Sequence, residues 1–257
     1  MSLQKRLVSP IWNKWYNYIT KLDSKGDVLF LNYGYKNNET LKLKKEDEKN
    51  RYGIHLYHKV VSSVEINNKK ILEIGCGKGG GASYIARYMK PKIVVGMDKS
   101  KNQIEFNKKY YLEGNLRFKH GDALKIPISN ESFDILVNVE SSHCYANFDK
   151  FLKEVKRVLR TKGYFLFADF RKKELIKPLL KSIDKSGLQI KKYECITENV
   201  VEALKIDDDR RTKLLKRLLP KIFHKWGRRF AGVRGSKTYN SFKNGKNKYF
   251  YFVLQKV

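Results

Sequence analysis

The sequence of 257 residues has few cysteines, only 26 acidic side chains and no long uninterrupted apolar run. Its three cysteines, Cys76, Cys144 and Cys195, are odd in number and far apart, which argues against a disulfide framework and against a paired-cysteine zinc site. Because no stretch of about 18 apolar residues occurs, no transmembrane helix is expected. The opening MSLQKRLVSPIW also lacks the apolar centre of a signal peptide. We therefore expect an intracellular, cytoplasmic protein.

The acidic residues are outnumbered by 55 lysines and arginines, which gives a formal net charge of +29. Such a charge fits nucleic acid or an anionic membrane surface as a partner. However, lysines and asparagines are scattered over almost every segment, as in a compositionally biased proteome. Residues 210–257 differ, because they contain 15 basic and no acidic side chains. Because most of the basic charge is scattered, nucleic acid is not the favoured partner, but the acid-free segment keeps it open.

The apolar pattern predicts one α/β domain. Apolar residues make up 41% of the chain, enough for one substantial core at this length. Between residues 69 and 170, β-rich runs alternate with amphipathic stretches, as in a parallel sheet flanked by helices. Strands are predicted at 69–74, 92–97, 116–120, 133–139, 163–170, 188–194 and 248–255. Helices are predicted at 82–89, 101–113, 148–160 and 173–186.

Two regions flank or interrupt this core. Residues 1–68 carry aromatic clusters that include Trp12 and Trp15, and they are expected to form an N-terminal helical cap or lid. Residues 69–257 would form the core, with a helical insertion at about 196–245 before the last strand.

The insertion contains a basic amphipathic stretch at 210–230, with a stripe of leucine, isoleucine and phenylalanine among arginines and lysines. Such a stripe packs on the domain as a pocket lid, or lies on an anionic membrane. The two interpretations are compatible. Pro220 would break the helix in two.

The strongest motif is ILEIGCGKGGG (71–81), where a strand runs directly into a glycine-dense turn that opens a helix. Gly75, Gly77 and Gly79 would let the turn bend sharply and let a ligand lie against bare backbone. The second strand ends at Asp98, 23 positions after Gly75, near the spacing at which an acid meets ribose hydroxyls. The pattern predicts a nucleotide-type ligand.

The turn is GxGxGG with Glu73 two residues before it, and HGDA (120–123) follows the third strand. These motifs resemble the class I S-adenosylmethionine-dependent methyltransferases, which implies a Rossmann-like fold with a mostly parallel seven-stranded sheet and helices on both faces. The resemblance implies that Glu73 serves the amino-acid end of the cofactor, Asp98 its ribose and Asp122 its adenine amine. S-adenosylhomocysteine would be the product. The other expected cofactor-binding residues are Gly75, Cys76, Gly77, Gly79, Lys99, Gln103, Ala123, Asn138 and Tyr33.

The acceptor is expected at NVESSHCY (138–145), because open α/β sheets bind ligands at the carboxyl ends of their strands. There His143 would face the methyl group, and a neutral histidine with a pKa of about 6.5 can take a proton from a hydroxyl. Alternatively, His143 only hydrogen-bonds a backbone group. No third ligand accompanies the histidines, so no metal site is expected. The residues expected to contact the acceptor are His58, Tyr35, Glu140 and Tyr145.

A closer resemblance to phthiotriolone and phenolphthiotriolone dimycocerosate O-methyltransferases extends over nearly the full length. It implies O-methylation of a hydroxyl on a lipid-like or polyketide-like acceptor, with Asn32, Tyr33 and Tyr35 in a lid over the cofactor. The segments that carry it are IWNKWY (11–16), VLFLNYGY (28–35), HLYHKV (55–60), GKGGGASYIAR (77–87), NVESSHCYANF (138–148), KGYFLFADFR (162–171) and GRRFAGVRGS (227–236).

Other functions remain open on the sequence alone. The base-methylation motif [DN]PP[YF] is absent at 138–145, and no Pro-Cys nucleophile occurs. An RNA methyltransferase is suggested only by the basic charge. Carbon or nitrogen methylation of a small molecule, or a binding module without catalysis, would use the same fold. The sequence does not fix the oligomeric state.

Overall fold

The computed structural model describes Asp23 and residues 26–257, so the aromatic cluster with Trp12 and Trp15 and the segment 11–16 lie outside the described residues. One seven-stranded sheet has the order β3-β2-β1-β4-β5-β7-β6. Only the two pairs that involve β7 are antiparallel. The predicted mostly parallel Rossmann-like sheet is confirmed. Its strands are β1 (Lys70–Ile74), β2 (Ile93–Asp98), β3 (Leu116–His120), β4 (Phe133–Val139), β5 (Leu159–Lys172), β6 (Leu188–Cys195) and β7 (Asn247–Lys256).

Nine α-helices lie within the described residues, and four of them separate β6 from β7. No helix of this part of the chain is both long and apolar enough to cross a membrane. The helices are α1 (Arg51–Val61), α2 (Gly80–Tyr88), α3 (Lys101–Tyr110), α4 (Phe148–Val158), α5 (Ile176–Ser186), α6 (Thr197–Ile206), α7 (Asp208–Leu218), α8 (His224–Phe230) and α9 (Lys237–Lys243). Short 3₁₀ helices occupy Lys45–Asn50, Ser142–Cys144, Lys173–Leu175 and Lys221–Phe223.

The largest boundary difference concerns β5. The sequence predicts a helix to residue 160 and a strand from 163, whereas the backbone becomes extended at Leu159, which pairs with Phe133 of β4. The strand continues to Lys172, because its second half pairs with β7 over nine positions. Pairing with β4 therefore makes Leu159 extended, although its spacing in the sequence continues the apolar face of α4.

The core has two apolar layers, one on each face of the sheet. In β4, Ile135 and Val137 face one layer and Leu136 faces the other, since successive side chains of a strand point to opposite faces. Helices α1, α2, α3, α6 and α9 contribute to the first layer, and α4 and α5 contribute to the second. Helices therefore cover both faces, as predicted.

The carboxyl ends of β1, β2 and β4 meet at one edge of the sheet. Ile74 pairs with Met97, and the backbone N–H groups of Gly75 and Cys76 donate to the Met97 carbonyl at 2.8 and 3.1 Å. The strand order reverses between β1 and β4, and open α/β sheets bind ligands at such a reversal. The fold thus brings the glycine turn, Asp98 and the loop after β4 together.

Candidate active site

A cavity opens at this edge. Its walls come from the glycine turn, the start of α3, residues 121–124 and the loop that follows β4. The segment 29–32 lies across it as a cover. Ten of the predicted site residues line this cavity: Gly75, Cys76, Gly77, Asp98, Lys99, Gln103, Asp122, Ala123, Glu140 and Tyr145.

Two glycines of the turn have different roles. At Gly75, where φ is 76°, an added Cβ would lie 2.0 Å from Ser141 Oγ, so packing against the loop after β4 requires glycine. At Gly77, where φ is 52°, the nearest atoms would be 3.4 Å away or further. Gly77 therefore presents bare backbone to the cavity, whereas Gly75 brings two walls together.

Asp98 ends β2 and is fixed by backbone donors. Its Oδ2 accepts the N–H of Gly77 at 2.9 Å, and its Oδ1 accepts the N–H of Ser100 at 2.8 Å. Burial raises its pKa against these bonds. Each carboxylate oxygen has a second lone pair, so the group can also accept bonds from vicinal hydroxyls.

Glu73 lies directly behind the cavity wall, completely buried. The Tyr57 hydroxyl donates to its Oε1 at 2.5 Å, while Oε2 has no partner within the described residues. Burial raises the pKa of Glu73 to about 7. Tyr57 lines the cavity and was not predicted as a site residue, although it lies in the segment HLYHKV (55–60).

A charged pair borders the opposite end of the cavity. Asp122 Oδ2 lies 2.7 Å from Lys99 Nζ, and Oδ1 accepts the N–H of Leu124 at 2.9 Å. These interactions lower the pKa of Asp122, although its partial burial opposes them. Nearby, Gln103 lines the cavity, and its Oε1 is buried without a partner among the residues described.

Two predicted cofactor residues lie behind the walls. Asn138 is buried and donates from Nδ2 to the Ile74 carbonyl at 2.7 Å and to the Tyr145 hydroxyl at 3.1 Å. It therefore joins β4 to β1. Gly79 faces Tyr111 and Phe118 rather than the cavity, so its part is to let the turn pack.

Glu140 connects the loop after β4 to the cover. Its backbone is left-handed with φ of 47°, a conformation that is uncommon outside glycine and often found at functional sites. Its Oε1 accepts the Tyr33 N–H at 2.7 Å and the Tyr249 hydroxyl at 2.9 Å, and burial raises its pKa to about 7. The ring of Tyr33 turns away from the cavity and packs against Phe170 and Phe242.

His143 lies in the same loop and forms a pair with Asp169. Its Nδ1 is 2.8 Å from Asp169 Oδ1, and its backbone N–H donates to Oδ2 at 2.9 Å. Asp169 is buried and also accepts from Ser142 Oγ at 2.6 Å. Burial alone would lower the pKa of His143, but the charge of Asp169 outweighs it, so the pKa lies well above 6.5. The His143 side chain remains 24% exposed.

The cavity wall includes Ser141 and Cys144 but not the His143 ring. The ring packs at 4.4 Å from Phe170. Asp169 was missed at the sequence level. Only the register of the sheet reveals it, because β5 ends beside β4 and places residues 167–170 next to the loop that holds His143.

The structure does not bring two predicted acceptor residues to this cavity. His58 lies in α1 with Nδ1 2.7 Å from the Tyr84 hydroxyl and Nε2 3.1 Å from Glu39. Tyr35 is buried in the core beside Lys59. The packing of α1 orients both side chains, and the aromatic pattern of the sequence does not predict that packing. In the described part of the chain, no cluster of three metal-ligating side chains occurs.

Comparisons with known proteins agree with this geometry. A family model described as "Methyltransferase domain" matches residues 66–227. The chain is 37% identical to the fatty-acid O-methyltransferase of Mycolicibacterium smegmatis, covering 85% of this chain and 81% of the relative. It is 34% identical to the phthiotriol/phenolphthiotriol dimycocerosates methyltransferase of Mycobacterium tuberculosis, covering 96% and 92%.

Solved structures match the fold. A putative sarcosine dimethylglycine methyltransferase from Galdieria sulphuraria has a TM-score of 0.71 at 18% identity, covering 95% of this chain and 97% of that one. The [4+2]-cyclase SpnF also has a TM-score of 0.71 at 18% identity, covering 95% and 94%. Because a cyclase shares this fold, the fold alone does not identify a reaction.

The sheet, the glycine turn and the acid at the end of β2 define a Rossmann-like methyltransferase. The chain belongs to the methyltransferase domain family, and it is an S-adenosylmethionine-dependent methyltransferase. The predicted resemblance to the dimycocerosate enzymes is confirmed. The RNA methyltransferase alternative is not favoured, because these relatives are named for lipid substrates.

Proposed function

We propose that this enzyme methylates a hydroxyl group on a lipid-like or polyketide-like acceptor. Two relatives, one named for phthiotriol lipids and one for fatty acids, support an apolar acceptor. The observation that carries the choice of a hydroxyl is the His143–Asp169 pair beside the cavity. Methylation of an alcohol releases a proton, whereas a carboxylate acceptor is already deprotonated at neutral pH.

The residues present fit S-adenosylmethionine, which supplies a sulfonium-bound methyl group when bound. Glu73 has a buried oxygen without a partner in the described part of the chain, which a cationic amino group would satisfy. Asp98 would hold the ribose and Asp122 the adenine amine. The remaining proposed cofactor residues are Gly75, Cys76, Gly79, Lys99, Gln103, Ala123, Asn138 and Tyr33, of which Gly79, Asn138 and Tyr33 would act through the walls they support.

His143 is the proposed catalytic base. With Nδ1 engaged by Asp169, the tautomer leaves Nε2 to accept the hydroxyl proton. Asp169 would then stabilise the imidazolium that forms, as in other carboxylate–histidine pairs. Glu140 and Tyr145, which line the cavity, are the proposed acceptor contacts. For His58 and Tyr35 that role would require an acceptor reaching beyond this cavity.

A pair of acceptors with equal chain length tests this proposal. We would incubate the enzyme with S-adenosylmethionine and either a long-chain secondary alcohol or the corresponding fatty acid, and identify the methyl ether or ester by mass spectrometry. The wild type should form the ether. His143→Ala should lose ether formation more strongly than ester formation, because only the alcohol needs a proton acceptor.

Equal losses on the two acceptors would remove His143 from proton transfer. An acceptor that carries a hydroxyl, an amine and a nucleophilic carbon would offer all three methyl-accepting atoms. Methyl transfer to its nitrogen or carbon would contradict O-methylation. Incorporation of methyl groups into RNA, in place of either acceptor, would restore the alternative that the basic charge suggested.

Two regions outside the sheet would cover the two ligands. A cap up to residue 68, with its described part beginning at Asp23, would cover the cofactor, and the insertion at about 196–245 would cover the acceptor. The enzyme would act in the cytoplasm and contact an anionic membrane through 210–230, because an apolar acceptor resides in the bilayer.

A further inference from the structure

The basic amphipathic stretch of the insertion divides at Pro220. Before it, Leu219 is buried. After it, α8 packs back on α7, where Gly227 approaches Leu215 and Leu219 so closely that a Cβ would lie within 2.7 Å of each. The opposite side of this segment is exposed: Ile222 is 82% exposed and Trp226 is 48% exposed. Leu219 and Gly227 are therefore packed on the domain, whereas Ile222 and about half of the Trp226 surface face outward.

Basic side chains surround these outward-facing groups. Lys221, Lys225, Arg228 and Arg229 are all exposed, and no acidic residue follows Asp209 in the chain. Apolar side chains projecting from a cationic rim are suited to the interface of an anionic bilayer, because the apolar groups enter the headgroup region while the cations meet lipid phosphates.

We propose that residues 221–229, the docking tip, bind an anionic lipid bilayer through Ile222 and Trp226. The inference deepens the proposed function, on which it rests for the source of the acceptor. A nucleic-acid surface would use the cations but would leave an isoleucine in contact with water. The combination of exposed apolar and basic groups favours lipid over RNA.

The docking tip is continuous with the cover of the cavity. In α7, Arg217 Nη2 lies 2.8 Å from Asp27 Oδ2. Arg211 Nη2 donates to the carbonyls of Asn32 and Tyr33, each at 3.1 Å. The segment 29–32 covers the cavity, so one helix connects the tip to the cover. An acceptor leaving the bilayer would reach the enzyme next to the segment that must admit it.

Vesicle sedimentation of the full chain tests the tip. The probes are vesicles of phosphatidylcholine alone and of phosphatidylcholine with phosphatidylglycerol in equal parts. The wild type should bind only the anionic vesicles, with affinity falling as salt rises. Ile222→Ser with Trp226→Ser should bind about tenfold more weakly or worse, since the apolar insertion is lost.

Three further variants sharpen the result. Leu112→Ser removes a side chain that is 87% exposed far from the insertion in sequence, and it should bind like the wild type. Ile222→Ser alone should weaken binding in part, which guards against a folding defect at Trp226. Lys221→Gln with Lys225→Gln should reduce binding to anionic vesicles by reducing the charge attraction.

Unchanged vesicle binding by the Ile222→Ser, Trp226→Ser variant would overturn the proposal. On a vesicle-embedded acceptor the variant should lose turnover to the same extent as it loses vesicle binding. Vesicle binding without methylation of any acceptor would refute the proposed function and leave the docking tip intact.

Discussion

The two halves of the cavity are built differently. The proposed cofactor half, formed by the glycine turn, Asp98 and Asp122, is held by backbone N–H groups that donate to side-chain carboxylates, such as those of Gly77 and Ser100 to Asp98. The acceptor half, formed by the loop 140–146 and the cover 29–32, is held by side chains from distant parts of the chain. Glu140 accepts bonds from residues 107 and 109 positions away.

This difference implies that the two halves can change independently. The donors in the cofactor half are backbone groups beside the strand ends, so only the acceptor carboxylates there depend on side-chain identity. The acceptor half can be altered by substitutions in the cover, the loop or the insertion while the sheet remains intact. Substitutions in each half should therefore affect different measured quantities.

The largest expected effect is on turnover, from His143→Ala. Loss of the proposed base should reduce kcat on an alcohol acceptor about 10²–10⁴-fold. Affinity for S-adenosylmethionine, measured by isothermal titration, should remain near the wild-type value because the cofactor half is untouched. A comparable loss of cofactor affinity would show that the halves are not separable.

The next effect is on cofactor affinity, from Asp98→Asn. The amide loses the charge-assisted bonds to ribose and places an NH2 group against the backbone N–H of Gly77 or Ser100, so Kd for S-adenosylmethionine should rise about 10–100-fold. The kcat at saturating cofactor should change much less. Asp122→Asn is the matched control at the exposed end, and its effect should be smaller because Asp122 is partly solvated.

A smaller effect concerns pH. His143 accepts a proton only when neutral, and its pKa lies above 6.5 in the resting enzyme. The neutral fraction therefore grows as pH rises, and kcat should increase about tenfold per pH unit below that pKa. Asp169→Asn removes the charge that raises the pKa, so the rising limb should move to lower pH. An unchanged pH profile would show that Asp169 does not set the pKa of the group that limits kcat.

The smallest effect should come from Cys144→Ala. Cys144 lines the acceptor half, but the proposed reaction gives its thiol no role, and a small packed thiol behaves as an apolar group. The kcat should change by less than about threefold. A loss as large as that of His143→Ala would assign the thiol to the chemistry and revise the acceptor half.

The sequence predicted the sheet and the common location of the glycine turn and Asp98 well, for a physical reason. Alternating apolar strands, a glycine turn and a carboxylate at a strand end are local patterns, and the turn at Gly77 and the acid at Asp98 lie at the cavity where the pattern placed them. The extended strand from Leu159 was not predicted, since pairing with β4 and β7 decides it.

The acceptor half was predicted less completely, because its contacts join residues far apart in the chain. Asp169 and Tyr57 lie in segments that carry the resemblance, but neither was predicted as a site residue, because tertiary packing brings each to its partner. His58 was predicted at the acceptor, whereas helix packing directs its ring to Tyr84. Only the tertiary fold separates His58 from His143.

A crystal structure with bound S-adenosylhomocysteine would show directly whether Asp98 holds the ribose. We expect ribose hydroxyls within hydrogen-bonding distance of the Asp98 carboxylate and a sulfur that points toward the loop 140–146. A cofactor whose ribose lies away from Asp98, or whose sulfur faces away from that loop, would contradict this placement.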